Sequence, residues 1–97
     1  MIISSLKNNL IKFIYKLKKK KYRISTNFFL VEGEKEILLA LKANFVLKYV
    51  LVCKDICNLN LENYYKYINI KKIININKLI FKKIAYRKKT GGILAIF

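Results

Sequence analysis

The segment from Lys18 to Gly33 constrains the fold more than any other part of the chain. It begins with four consecutive lysines, continues through Tyr22 and Arg23, and ends in the apolar run Phe28–Val31 followed by a Glu-Gly pair. A short continuous apolar run that is partly aromatic and β-branched is typical of a strand covered on both faces. Glycine then allows the backbone to leave the strand. The segment therefore predicts a helix end, a turn, a buried strand and the start of another helix.

Before this segment, apolar residues recur at the spacing of one amphipathic helix. Lysines and asparagines occupy most of the remaining circumference. A solvated surface helix is the simplest interpretation for any single lysine. The cations at 18–21 and at Arg23, however, exceed the charge that a helix C-terminus attracts. The apolar positions of this helix are Leu6, Leu10, Phe13, Ile14 and Leu17, and the candidate N-caps are Ser4 and Ser5.

After Gly33 the pattern alternates between helices and strands. Glu34 and Glu36 lie in the first turn of a predicted helix, where negative charge meets the positive end of the helix dipole. Repeated strand-helix-strand units predict a single α/β domain over residues 1–97, a three-layer α/β/α sandwich with a mostly parallel sheet. The later predicted elements are a strand over 46–53, a short helix over 59–67, a strand over 71–76, a helix capped by Asn77 with Ile80, Phe81 and Ile84 facing inward, and a strand over 93–97.

The formal net charge of +16 indicates an anionic partner. Lysine and arginine number 21 against 5 acidic residues. Such an excess is typical of proteins that bind nucleic acid or an anionic membrane surface. Nearly all of the cations are lysines, and isoleucine, asparagine, tyrosine and phenylalanine are abundant. This composition is also expected when AT-rich codons are over-used, which is the alternative explanation for part of the charge.

The residue types that several kinds of site need are absent or too few. Cys53 and Cys57 have no histidine or further cysteine to complete a four-ligand zinc site. We interpret them as small apolar residues at a strand end and in the next turn, in a reducing compartment. Glu32 has no partner at a catalytic spacing, so it and Gly33 are interpreted as a strand-to-helix junction. The glycines at 91–92 precede a strand, unlike those of phosphate-binding loops.

Several of these segments match a known pattern. The matching residues are Ile3, Ser4, Lys7, Asn8, Ile11, Lys12, Leu17, Lys19–Arg23, Phe29–Lys35 and Gly92–Phe97. Together they resemble the N-terminal substrate-binding domain of the SpoU/TrmH family of RNA 2′-O-ribose methyltransferases, over essentially the whole chain. The resemblance implies a fold similar to ribosomal proteins that bind kink-turn RNA. Two turns depart from the family pattern, since Asn27 replaces a frequent glycine and Thr90-Gly91 replaces a proline-containing pair.

The same resemblance implies that catalysis belongs to another domain. In the family, S-adenosylmethionine binds a C-terminal knotted domain whose motifs include an Asn-x-Gly segment leading to a catalytic arginine. This sequence contains no such segment. We therefore expect a cytoplasmic protein that binds RNA, chiefly ribosomal or else transfer RNA, and that does not transfer a methyl group alone. We expect it to be an excised domain, a truncated product or a stand-alone derivative. A catalytic partner domain and a homodimer are left open.

The predicted RNA contacts are cationic and polar side chains near the first helix end and in the last loop. Lysine and arginine neutralise phosphates and release counterions. Tyr22 and Tyr86 each lie beside an arginine and are candidates for stacking on an unpaired base, with ordinary packing as the alternative. A ribosomal-protein-like RNA binder and a membrane-surface protein using the first helix are the competing functions. The predicted RNA-contacting residues are Asn9, Lys12, Lys19, Lys20, Lys21, Arg23, Arg87, Lys88 and Lys89.

Overall fold

The computed structural model describes residues 2–3, 5–57, 68–86 and 91–97. The helices are α1 (Asn9–Leu17), α2 (Lys20–Thr26), α3 (Glu34–Lys42) and α4 (Lys78–Ile84). The strands are β1 (Ile2–Ile3), β2 (Leu30–Glu32), β3 (Tyr49–Val52), β4 (Ile73–Ile76) and β5 (Ile93–Ile96), and a 3₁₀ turn over Ile70–Lys72 leads into β4. The predicted helix over 59–67 lies outside the described residues.

The five strands form one mixed sheet in the order β1-β4-β3-β5-β2. Strand β4 pairs in parallel with β1 and β3, whereas β5 pairs antiparallel with β3 and β2. Four strands therefore share one direction, but two of the four pairings are antiparallel. The predicted mostly parallel sheet is thus corrected to a mixed one, because β5 runs against its neighbours.

The direction of β5 follows from where helix α4 ends. With seven residues, α4 is only about 10 Å long. Just beyond its end, the backbone N–H of Tyr86 donates to the carboxylate of Glu32, the last residue of β2. The chain therefore reaches β5 from the carboxyl ends of β2 and β3, and it can only run antiparallel between them.

Apolar side chains pack on both faces of the sheet, which confirms the three-layer α/β/α arrangement. Along β5, Leu94 and Ile96 join the cluster formed with α1 and α4. Ile93, Ala95 and Phe97 join the opposite cluster, formed with α3. Successive side chains of a strand point to opposite faces. Strand β5 is therefore buried on both faces, in line with its continuous apolar sequence.

Helix α1 begins later than predicted. Its N-cap is Asn8, whose Oδ1 accepts a hydrogen bond of 2.8 Å from the backbone N–H of Leu10. Ser5 lies before the helix, where its Oγ accepts the N–H of Lys7. The prediction of Ser5 as N-cap is therefore wrong, because Asn8 is the polar residue nearest the first helical turn. The other candidate, Ser4, lies outside the described residues.

The buried face of α1 consists of Ile11, Ile14 and Leu17, each at most 1% exposed. Leu6 is 38% exposed because it precedes the helix, so its predicted place in the buried stripe is wrong. The packed stripe is not available to a membrane surface, which argues against the membrane-surface function. In the described part of the chain, no helix is both long enough and apolar enough to cross a bilayer.

A break at Lys18 and Lys19 separates α1 from α2, a second helix where the sequence predicted a helix end and a turn. Lys19 has extended backbone angles, with φ −97° and ψ 130°. Helix α2 ends at Asn27, which adopts the left-handed conformation with φ 60°. Asparagine tolerates this conformation better than most residues other than glycine. The asparagine at this position therefore still makes the turn for which the family frequently uses glycine.

Two predicted element junctions, at Gly33 and Asn77, are confirmed. Gly33, with φ 94°, ends β2 and precedes α3. Asn77 caps α4, because its Oδ1 accepts the N–H of Ile80 at 2.9 Å. The inward side chains of α4 are those predicted from periodicity, namely Ile80, Phe81 and Ile84.

The turn after β3 is packed against the start of β5. Cys53 is buried and Cys57 is half-buried, and both are free thiols. The backbone N–H of Cys53 donates to the carbonyl oxygen of Gly92 at 2.9 Å. A Cβ atom added to Gly92 would lie 2.6 Å from the backbone nitrogen of Cys57. Glycine is therefore required at position 92 by close approach as well as by its φ of 75°.

Candidate nucleic-acid interface

Helices α1 and α2 carry lysines that face solvent. Asn9, Lys12 and Lys16 lie on the side of α1 opposite the buried Ile14, as their helical spacing requires. Within the described residues, none of these lysines and none of those at 19–21 forms an ion pair. Their charge is therefore not compensated by a carboxylate from the part of the chain that the structure describes. We call this group the basic surface; its members are Lys12, Lys16, Lys19, Lys20 and Lys21.

Arg23 has a structural role that the sequence did not predict. Its Nη1 donates hydrogen bonds to the carbonyl oxygens of Leu17 at 3.0 Å and Lys18 at 2.8 Å. Leu17 is the last residue of α1 and Lys18 is its C-cap. The Arg23 side chain therefore links α2 to the C-terminus of α1. A guanidinium has five N–H donors, and the two bonds leave those on Nε and Nη2 for further contacts.

The predicted cluster on α2 is divided between two sides of the helix. Lys20 and Arg23 are three residues apart and share one side, whereas Lys21 is rotated by about 100° from Lys20. The ammonium groups of Lys21 and Lys16 lie 5.5 and 5.8 Å from the ring centroid of Tyr22. The predicted contact surface thus consists of two adjoining groups of cations.

The two tyrosines predicted as stacking candidates both have lysine partners. Tyr22 is half-buried beneath the ammonium groups just described. The ammonium of Lys18 lies 4.9 Å from the ring centroid of Tyr86 and 5.1 Å from that of Tyr15. These are cation–π distances. A base stacking on Tyr22 or Tyr86 would need ring surface that the lysines leave uncovered.

The remaining predicted contacts, Arg87, Lys88 and Lys89, lie outside the described residues. Glu32, the candidate junction carboxylate, is buried and accepts the N–H of Tyr86. This long-range contact fixes the end of α4 against β2, which supports a structural role for Glu32. In the described part of the chain, no group of three or more His, Cys, Asp or Glu side chains forms a candidate metal site.

A cleft beside α2 was missed by sequence reasoning. It lies at the amino ends of β2 and β3, and its main part has a volume of about 660 Å³. A second part of about 550 Å³ continues it toward α2 and shares Asn27, Phe28 and Phe29. The sequence pattern predicted a strand beginning at Val46, but β3 begins at Tyr49. Val46 therefore precedes the strand and lines the cleft. We call the two parts together the amino-edge cleft; its aromatic lining residues are Phe28, Phe29, Phe45, Tyr49 and Phe97, and its cationic ones are Lys20, Arg23, Lys48 and Lys72.

Comparison with solved structures finds the same fold in RNA methyltransferases. An RNA 2′-O ribose methyltransferase is 30% identical, with a TM-score of 0.84, over 99% of this chain and 36% of that one. An rRNA methyltransferase from Sinorhizobium meliloti is 23% identical, with a TM-score of 0.77, over 100% and 36% of the two chains. The SpoU methyltransferase AviRb from Streptomyces viridochromogenes, solved with AdoMet, is 14% identical, with a TM-score of 0.71, over 93% and 35%.

The present chain therefore spans about a third of the length of these solved proteins. A comparison with curated proteins gave no significant match. The family model described as the MRM3-like substrate binding domain matches residues 8–95. This match includes α1 to α4 and most of β5, and it agrees with the resemblance to SpoU/TrmH RNA ribose methyltransferases. The chain belongs to the family of MRM3-like substrate-binding domains.

Proposed function

We propose that residues 1–97 hold RNA as the substrate-binding domain of a SpoU/TrmH-type 2′-O-ribose methyltransferase. The observation that carries the proposal is the basic surface, whose lysines are exposed and have no ion pairs within the described residues. Membership of the substrate-binding family supports this proposal. Ribosomal RNA is the proposed substrate class, with transfer RNA as the alternative. The similarity to kink-turn-binding ribosomal proteins stays a prediction.

The proposed contact is mainly electrostatic. Lysine ammonium groups attract phosphates and release condensed counterions, which gives affinity with little sequence information. If about five phosphates are contacted, the logarithm of the affinity falls with the logarithm of the salt concentration at a slope of roughly −3.5 for single strands and −4.5 for duplexes. The chain would thereby hold the RNA while another domain supplies the chemistry.

The methyl donor in this proposal is S-adenosylmethionine bound by a separate catalytic domain. The chain's own residues would bind and orient the RNA. Glu32 is the buried carboxylate among the described residues, and its contact with the backbone of Tyr86 gives it a structural task. We therefore assign no proton-transfer role to Glu32.

The proposal is tested by neutralising lysines of the basic surface that do not line the amino-edge cleft. The variant Lys12→Gln/Lys19→Gln/Lys21→Gln removes three exposed cations. Its matched control, Lys35→Gln/Lys42→Gln/Lys54→Gln, removes the same charge from exposed positions on α3 and in the turn after β3. Arg23 is left unchanged because its substitution would disturb the end of α1.

Binding of a single-stranded RNA and of an RNA duplex is measured between about 50 and 200 mM salt. The basic-surface variant is expected to reduce the size of the salt slope by roughly 2 to 3, which corresponds to three lost phosphate contacts. The control variant is expected to keep most of the slope. Equal changes in the two variants, or no change in either, would contradict the proposed surface.

A further inference from the structure

The amino-edge cleft combines accessible apolar side chains with positive charge. Phe45 and Val46 are 53% and 81% exposed, although both lie in its wall. Among the described residues that line the cleft are three lysines and one arginine, and none of these described residues is an aspartate or glutamate. A cleft lined by one sign of charge concentrates ligands of the opposite sign. The lining therefore favours an anionic ligand that also has flat apolar surfaces.

The aromatic wall is held in a fixed position. The ring of Phe45 meets that of Phe29 edge-on, with centroids 5.5 Å apart and an interplanar angle of 85°. Phe29 in turn stacks on Phe97, with centroids 5.9 Å apart and an angle of 20°. Phe97 is only 3% exposed. The buried ring of Phe97 thus holds Phe29 in place, and Phe29 in turn holds the exposed ring of Phe45. A flat ligand that stacks on Phe45 therefore costs little side-chain conformational entropy.

Cations line both parts of the cleft. Arg23 is fixed by the end of α1, and Lys72 is fixed by a hydrogen bond of 2.9 Å from its Nζ to the carbonyl oxygen of Leu47. Lys20 and Lys48 are exposed, and the ammonium of Lys48 lies 4.9 Å from the ring centroid of Phe28. Positive charge therefore flanks the aromatic wall on the α2 side and on the β3 side.

From this arrangement, and resting on the proposed RNA-binding function, we propose that the amino-edge cleft binds a segment of unpaired RNA. Bases would pack against Phe45 and Val46, and the flanking phosphates would contact Lys20 and Lys48. Single-stranded nucleic acid is typically bound by such a combination of aromatic platforms and positive charge. A duplex keeps the faces of its bases stacked inside the helix, so it cannot use the aromatic wall. The cleft would thus select single-stranded regions, whereas the basic surface would hold phosphates of either form.

The test compares cleft variants of the full chain on two RNA probes. The probes are a single-stranded oligouridine and a blunt-ended RNA duplex, each about 12 nucleotides or base pairs long, within the site sizes of single-strand binders. The variants are Phe45→Ala, which removes the accessible ring, and Val46→Glu, which adds negative charge without removing a buried side chain. The control is Leu39→Glu, because Leu39 is 67% exposed on α3 and does not line the cleft. Circular dichroism verifies that each variant is folded.

Both cleft variants are expected to weaken oligouridine binding by about fivefold or more, the lower end of base–aromatic stacking, and duplex binding by less than about twofold. The control is expected to weaken both probes equally and slightly. Unchanged oligouridine binding, as expected if the cleft instead receives a protein segment, would overturn the proposal. Equal losses on both probes would also overturn it.

The two proposals fail separately because the variants do not overlap. If the basic-surface variant flattens the salt slope while the cleft variants leave oligouridine binding unchanged, the proposed function is supported and the cleft proposal is overturned. If the basic-surface variant has no effect on either probe, the proposed RNA-binding surface is overturned whatever the cleft variants show.

Discussion

The guanidinium Nη1 of Arg23 donates a hydrogen bond of 2.8 Å to the carbonyl oxygen of Lys18, the residue that caps the C-terminus of α1. The same atom donates to the carbonyl oxygen of Leu17. A cation at this position satisfies carbonyls that have no partner within their own helix and interacts favourably with the helix dipole. The break between α1 and α2 is therefore stabilised by a side chain from the second helix.

Arg23→Gln is expected to lower the free energy of unfolding by about 1–2 kcal/mol, because charge-assisted hydrogen bonds to half-buried carbonyls are lost. Urea denaturation measures this change. The control Lys20→Gln, at an exposed position on the same side of α2, is expected to stay within about 0.5 kcal/mol of the parent. A variant at position 23 as stable as the parent would show that the two bonds contribute nothing.

Gly92→Ala is expected to destabilise the fold strongly, by about 3 kcal/mol or more, since the new Cβ would meet the backbone of Cys57. Gly91→Ala is the matched control. Gly91 also has a positive φ, of 71°, but no atom lies within 4 Å of its added Cβ. Its alanine variant should therefore cost only the conformational penalty of about 1–2 kcal/mol. Thermal unfolding of both variants decides the comparison, and similar losses would mean that close packing at position 92 is unimportant.

Asn8→Ala is expected to cost about 1 kcal/mol, because the side chain caps α1 through the N–H of Leu10. The adjacent Asn9→Ala is the control, since Asn9 is exposed in the first turn and its side chain makes no capping bond to another described residue. Chemical denaturation of the pair should separate capping from the general effect of removing an amide. The assignment of Asn8 as the cap would be wrong if the two variants lost the same stability.

Asn27→Gly is expected to keep or slightly raise stability, because glycine adopts the left-handed conformation without a steric penalty. Asn27→Ala is expected to lose about 1 kcal/mol at the same position. The order of melting temperatures, with glycine highest and alanine lowest, is the measurement. An alanine variant that matches the glycine variant would show that the turn relaxes to another conformation.

Local signals predicted a large part of this fold. Asn77 at the start of α4 and Gly33 at the end of β2 were readable because capping and glycine chemistry act within a few residues. The inward face of α4 followed from periodicity alone. The three layers followed from the alternation of apolar strands with amphipathic helices. Each of these features depends on residues that are close together in the sequence, so a local sequence pattern is enough to predict it.

Features that depend on distant contacts were not predicted. The direction of β5 is set by where α4 ends, against Glu32, and no local pattern encodes that contact. The two-residue strand β1 is too short for periodicity, and it exists because it pairs with β4. Helix α2 has no fully buried residue, so the apolar repeat on which helix prediction relies is missing.

In the candidate site, too, features set by local sequence were predicted and features set by distant contacts were not. Exposure of the lysines on α1 followed from helical spacing, since the buried residues of α1 fix its opposite face. The amino-edge cleft brings together segments around positions 20–29, 45–49, 72 and 97, which only the folded sheet places side by side. Its exposed Val46 was predicted to belong to a strand, because hydrophobicity alone does not reveal whether a side chain is covered.

The place of β5 between β2 and β3 also bears on the order of events during synthesis. These two strands are not hydrogen-bonded to each other and meet only through residues 93–96, the last strand in sequence. Contacts between residues so far apart along the chain form slowly. While a ribosome is still making the protein, β2 and β3 cannot join one sheet until β5, which lies between them, has been synthesised. Until β5 emerges, β2 therefore has no partner in the described sheet and one edge of β3 stays open to wrong pairing.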